Sequence, residues 1–268
     1  MDAMLVFDRP LVRRRRDRAA RTVGRVDDVL RDAAERLLDR LDDTTRSFDR
    51  ALDLGGRGVV APMLRARGIA TVAADLSPAM AARSGGPAVA LDEEFLPFAP
   101  ASFDLAVASL SLHWINDLPG ALLQIRRCLA PGGLLLASLP VLGTLAELRA
   151  ALAGAEAELR GGASPRVSPF PELRDCAGLL QRAGFALPVA DAEDMRLAYA
   201  DPLALLLDLR AAAQLGLGAG EANAARAMDR RCPPRMLWPM ALGALPRRED
   251  GRAAATLRLG MLTGWAPE

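Results

Sequence analysis

The chain is predicted to be an α/β protein with a Rossmann-like core: a mostly parallel sheet, an N-terminal helical arm and C-terminal helical additions. Three observations predict this. Short apolar runs end near Leu54, Asp75, Leu91, Leu110 and Leu139 and alternate with helical candidates at 59–67, 78–83 and 118–129; such βαβα order gives a parallel sheet through right-handed crossovers. The run FDLAVASL at 103–110 has one acid near its start and is otherwise almost wholly apolar, as a strand covered on both faces must be. The segment ALDLGGRGVV at 51–60 passes from a strand through a glycine turn into a helix, a geometry that turns unpaired N–H groups toward a ligand.

In chain order, residues 1–45 form the arm, 46–140 the ligand-binding core, and 141–268 the remainder of the sheet with substrate-side helices, one domain overall. The arm carries FDRPLVRRRRDRAAR, basic from Arg13 to Arg21 except for Asp17, Ala19 and Ala20; it reads as a solvated helical face or as a partner-docking arm. Over 25–41, Val26, Val29, Leu30, Ala33, Leu37, Leu38 and Leu41 recur at helical spacing and predict an amphipathic helix. Pro131, Gly132 and Gly133 predict a turn that ends one helix and starts the strand LLLASL. A helix follows at 144–160, then a Gly/Ser/Pro loop at 161–171 suited to a lid or recognition loop. Residues 185–199 read as a strand broken near 190–194, and 201–245 as helical material punctuated by Pro233, Pro234 and Pro239. The run ATLRLGMLTGW reads as a closing strand.

Composition narrows the function. The 268 residues carry a net charge of +1, so no general attraction to nucleic acid or anionic membrane is expected. Every one of the 34 basic residues is arginine. Cys128, Cys176 and Cys232 lie far apart, and a single histidine leaves no zinc motif and no two-histidine iron site, so no metal site is expected. The apolar runs are too short or too charged for a membrane span, and the N-terminus has no apolar signal core, which predicts a reduced, cytoplasmic protein.

Four constellations could carry chemistry. Gly55, Gly56 and Gly58 do not keep the dinucleotide spacing, and Asp53 just ahead of them suits a cationic ligand such as a sulfonium with an amine better than a phosphate. Asp75, where the second strand stops, could accept the hydroxyls of a ribose or cap the next helix, which Ser77 before Pro78 would also do. Asp92 and Glu93 could take an adenine amino group or form a solvated acidic turn. In SLSLHW, His113 is either a base or a structural residue, and Trp114 is packing or a pocket wall. Asp117 before Leu118 and Pro119 reads as a helix start.

With these residues in place, 52–139 resembles the class I S-adenosylmethionine-dependent methyltransferases. DEEFLPF, SFDL, SLSLHWINDLP and the SP..SPF loop, with the flanking VFDR and TGWAP, resemble the complex I assembly factor family of mitochondria and related bacteria over nearly the whole chain. The resemblance implies the class I methyltransferase fold and S-adenosylmethionine as cofactor. It assigns Asp53, Gly55, Gly56, Gly58, Asp75, Leu76, Asp92, Glu93 and Ser109 to cofactor binding, His113 to catalysis, and Trp114, Asp208 and Arg210 to the substrate side. It also implies modification of a protein side chain; the mitochondrial member is described as hydroxylating an arginine of a complex I subunit. Two departures stand out. The loop is one residue short between its first two glycines, which should move a contact by about 3 Å and weaken or abolish cofactor binding, and Glu221 and Asn223 come late after Asp208. The alternatives are a non-catalytic assembly factor with a degraded loop and a small-molecule or carrier-protein methyltransferase of the biotin-pathway type. The expected location is the cytoplasm, at the inner membrane surface where complex I is assembled.

Overall fold

A computed structural model describes residues 5–213 and 233–268. The strands are β1 (Arg50–Leu54), β2 (Ala70–Asp75), β3 (Ala88–Ala90), β4 (Phe103–Ser109), β5 (Leu129–Pro140), β6 (Ala186–Tyr199) and β7 (Ala253–Trp265). Among the described residues they form one seven-stranded sheet in the order β3-β2-β1-β4-β5-β7-β6. The first five are parallel, and β7 inserts antiparallel between β5 and β6. The order reverses between β1 and β4, so the carboxyl ends of β1, β2 and β4 border one crevice, the place where open α/β sheets bind ligands.

The helices are α1 (Arg9–Ala19), α2 (Asp27–Leu38), α3 (Val60–Ala66), α4 (Pro78–Ala82), α5 (Leu118–Cys128), α6 (Ala146–Arg160), α7 (Leu173–Arg182), α8 (Pro202–Ala213) and α9 (Leu237–Gly243). Strand periodicity divides the core. In β4, Leu105 and Val107 face the cluster built with α2, α3, α6, α8 and α9, while Phe103, Ala106 and Ala108 face that of α5 and α7. In β5, Leu134 and Leu136 take the first side and Leu135, Ala137 and Leu139 the second. Each fully buried leucine contributes roughly 1.5–3 kcal/mol, which is why these strands read as unbroken apolar runs. Asp117 caps α5 through its own Oδ1, which accepts from Gly120 N at 2.9 Å.

Four expectations need correction. The helix expected over 25–41 is three pieces: a 3-10 turn at Val23–Val26, α2, and a second 3-10 turn at Asp39–Leu41. The Pro131–Gly132–Gly133 turn lies inside β5 rather than ahead of it. Leu129 already pairs with Phe103, and the register then shifts so that Leu105 meets Leu134; a proline without N–H and Gly132 at φ 68° make a bulge there. β6 is paired continuously from Val189 to Tyr199, with its irregularity at 186–189 instead of 190–194. Asp191, Glu193 and Asp194 are tolerated because β6 is an edge strand with solvent on one side. Finally, the basic arm is not uniformly solvated: α1 buries Val12, Arg16 and Ala19. Arg13, Arg14 and Arg18 remain exposed.

Candidate active site

The predicted residues of β1 to β4 gather at the carboxyl edge of the sheet. Asp53 near the end of β1 is buried, and its Oδ2 accepts from Ala61 N of α3 at 2.9 Å. It therefore holds its own loop in shape, and a Cβ at Gly56 would fall 2.2 Å from its carboxylate. Burial pushes Asp53 up to about 7, against the hydrogen bond from Ala61. Gly55 has φ 72° and donates to Ala74 O at 2.7 Å, and a side chain there would strike Ser111. Gly58, at φ 83°, lies against the backbone of Arg83. These glycines are needed by the turn itself, whatever else the loop binds.

Between them stands Arg57, whose φ of 53° is unusual for a residue with a side chain. Its buried guanidinium donates to Ser109 O at 3.1 Å and to Leu110 O. Leu110 is also left-handed, at φ 51°, and donates to Ser138 Oγ and Ser138 O. Two residues in this sparsely populated region, joined by a hydrogen bond, thus hold the end of β4 against the loop after β1. Ser109 packs beside Ser138, with their Oγ atoms 3.4 Å apart. Burial lowers Arg57 to about 10, helped by the nearby Arg16.

Asp75, at the end of β2, is buried. Its Oδ1 accepts from Ser77 N at 2.8 Å and from Arg16 Nη1 at 3.3 Å, while Oδ2 has no hydrogen-bond partner. Ser77 is the cap of α4, its Oγ accepting from Met80 N. Beyond β3, Glu93 is fully buried and accepts from Arg16 at 2.6 Å and from Arg9. Burial alone would raise Glu93, but Arg16 and Arg9 overcome it and hold the carboxyl at about 2. Asp75 goes the other way, pushed up by burial despite Arg16. Asp92 is partly exposed and accepts from Arg9 Nη2 at 2.5 Å. The 92–93 pair is thus no solvated turn: Glu93 is sealed beneath α1.

His113 and Trp114 lie in a 3-10 turn at Leu112–Trp114, their rings 5.8 Å apart. His113 is half-buried. Trp114 is buried and packs on Phe7 at 4.9 Å in a small cluster with Val12 and Leu76. Asp208 belongs to another group: it accepts from Arg25 and pushes the Tyr199 hydroxyl up, adding to burial. The Arg210 side chain, Glu221, Asn223 and Cys232 lie outside the described residues.

Sequence alone does not single out Arg9, Arg16, Arg57 or Asn116. A signal was present for Arg16: Val12, Arg16 and Ala19 share one helical stripe at i, i+4 and i+7. An open cavity of about 680 Å³ lies between Leu76, Ala90, Leu91 and Asp92 of the sheet and Arg9, Pro10, Arg13 and Arg14 of the arm. Apolar walls beside the Asp92 carboxylate suit a base, and the unpartnered Oδ2 of Asp75, buried next in sequence to the lining Leu76, suits a ribose hydroxyl, so the residues present fit a nucleoside cofactor.

Residues 24–188 match a family model described as a methyltransferase domain. The chain belongs to the methyltransferase-domain family. Among its relatives, the human mitochondrial arginine-hydroxylase NDUFAF5 is 38% identical over 97% of this chain and 76% of that protein. A malonyl-[acyl-carrier protein] O-methyltransferase of Halorhodospira halophila is 36% identical over 97% of this chain and 88% of that protein. A putative methyltransferase from Bacillus halodurans superposes with a TM-score of 0.56 at 15% identity, over 87% of this chain and 99% of that one. As a methyltransferase-family member, the chain has the Rossmann-like sheet of that fold. No described helix is long and apolar enough to cross a membrane.

Proposed function

We propose that this chain binds S-adenosylmethionine and transfers its methyl group to a protein side chain, an arginine of a respiratory complex I subunit, during assembly at the inner membrane surface of a bacterium. The observation that carries the reading is the set of carboxylates at consecutive strand ends, Asp75 with Asp92 and Glu93, of which Asp92 lines a cavity walled by Leu76 and Leu91. The near full-length likeness to the arginine-hydroxylase relatives supports a protein substrate.

In this reading Asp75 holds the ribose, Asp92 and Leu76 hold the base, and the turn from Gly55 to Gly58 faces the amino-acid end. The cofactor supplies an electrophilic methyl group. The chain's own part is mainly positioning, holding the acceptor in line. Half-buried His113, at the mouth of the same edge, takes the proton the acceptor gives up.

A second reading is favoured by the malonyl-[acyl-carrier protein] methyltransferase relative, which covers as much of the chain: the acceptor is then a carrier-bound carboxylate. Calorimetric titration with S-adenosylhomocysteine tests the shared part, and no binding at millimolar ligand leaves a non-catalytic assembly factor. Mass spectrometry of complex I subunits from a deletion strain then tests the acceptor. Loss of about 14 Da from one arginine, one methylene, is the expected result; loss of about 16 Da makes the reaction hydroxylation. Unchanged subunits with a methylated carrier protein favour the second reading.

A further inference from the structure

A guanidinium is rarely removed from water completely unless its charge is paired and its hydrogen bonds are met. Arg16 has no exposed surface, and its Nη1 reaches Glu93 Oε1 at 2.6 Å and Asp75 Oδ1 at 3.3 Å. About two turns away, Arg9 grips Asp92 and Glu93 and donates to Trp114 O at 2.9 Å. The acids that the proposed function gives to the ribose and base are therefore already partnered by the chain's own cations. A ribose diol asks Asp75 for both carboxylate oxygens, yet Oδ1 already accepts two hydrogen bonds.

What holds α1 there is mostly polar, with few apolar contacts. Phe7 and Val12 sit in a satellite cluster with Leu76 and Trp114, and of α1 itself only Ala19, in its last turn, reaches a main core. Besides the ion pairs of Arg9 and Arg16, the polar ties include Phe7 N and O, which exchange hydrogen bonds with the Asn116 amide at 2.8 and 3.2 Å, Ser77 Oγ, which donates to Asp17 at 2.5 Å, and Arg83 Nη1, which donates to Ala20 O at 3.3 Å. Elements held this way open at lower free energy than the global fold.

We propose that α1 is a self-inhibitory latch. Arg16 occupies the ribose end of the site as an internal competitor, and nucleoside binding requires its release from Asp75. The proposal rests on the cofactor reading above and predicts a sign. If closed α1 excludes ligand, apparent affinity is the intrinsic affinity multiplied by the open fraction, so loosening α1 tightens binding. If α1 is instead a roof the ligand needs, loosening it weakens binding.

The test is calorimetric titration of the full chain with S-adenosylhomocysteine, for the wild type, Asn116→Ala and Arg16→Met. Asn116→Ala unclips Phe7 without touching any of the acids. It is expected to tighten binding about fivefold, and Arg16→Met about tenfold, as the open fraction rises. Arg16→Met leaves buried carboxylates short of a partner and endangers folding, so Asn116→Ala decides. Equal or weaker affinity for Asn116→Ala overturns the latch and leaves the cofactor reading standing. Absence of binding in all three proteins at millimolar ligand overturns both.

Discussion

Two arginine–carboxylate clusters tie the N-terminal helices to the sheet, and they differ in where water is. At the inner cluster, Arg9 and Arg16 of α1 meet Asp75, Asp92 and Glu93, with Arg16 and Glu93 wholly buried. At the outer cluster, Arg36 and Arg40 of the α2 region meet Asp191 and Glu193 on edge strand β6, at 2.7 to 3.4 Å, with side chains 20% to 45% exposed. The distances are similar, but the energetics are not. Exposed pairs gain little over their hydrated alternatives, whereas a buried pair is stable only while complete. The outer cluster works as attachment; the inner one places charge where a ligand would have to compete for it.

The sharpest way to break the comparison is to remove a buried acid. Glu93→Ala strands Arg16 and is expected to cost about 3–5 kcal/mol, read as a lower midpoint in urea unfolding. Acid should act in the same place. Glu93 in the fold sits near 2, below its ordinary 4.5. Its stabilisation is therefore complete above about 4.5 and is lost as pH falls from there through 2. Trp114 fluorescence, which reports on Phe7 and α1, should change in that window.

Asp53 gives the opposite sign. Its folded value of about 7 lies above its ordinary 3.8, so the fold holds a proton that the unfolded chain has released, and stability drops as pH rises from about 4 to about 7. Asp53→Asn removes that cost. Relative to wild type it should gain about 3 kcal/mol between pH 4.5 and 8, and a difference that does not change with pH would refute the placement. The smallest effect belongs to the outer cluster. Arg40→Ala is expected to cost about 0.2–1 kcal/mol, shrinking in high salt; a loss as large as that of Glu93→Ala would erase the distinction between the clusters.

The sheet was legible because burial writes itself into periodicity. β4 and β5 face apolar layers on both sides, so their residues had little freedom to be anything else. The positions of the acids were legible for the related reason that the end of each apolar run can be read from the sequence. What covers them was not. The contacts of Arg9 with Asp92 and of Arg16 with Glu93 span more than 75 residues, and nothing in a local window records them. Arg57 was hidden by its company: in a glycine turn attention falls on the glycines, while the residue that joins β1 to the end of β4 is the arginine. The acids of β6 misled because edge position, which makes them harmless, is a property of topology.

Residues 13–16 are four consecutive arginines, interchangeable in charge and reach, of which only Arg16 is fully buried. Chemistry cannot choose among them; rotation does, at about 100° per residue. The choice is made by apolar neighbours, with Phe7 and Val12 fixing the helix against Leu76 and Trp114 and Ala19 buried one turn on. A bulky substitution at Ala19 would turn the helix about its axis and present the wrong guanidinium to Glu93. The resulting defect would look electrostatic, although every charge in the chain would still be in place.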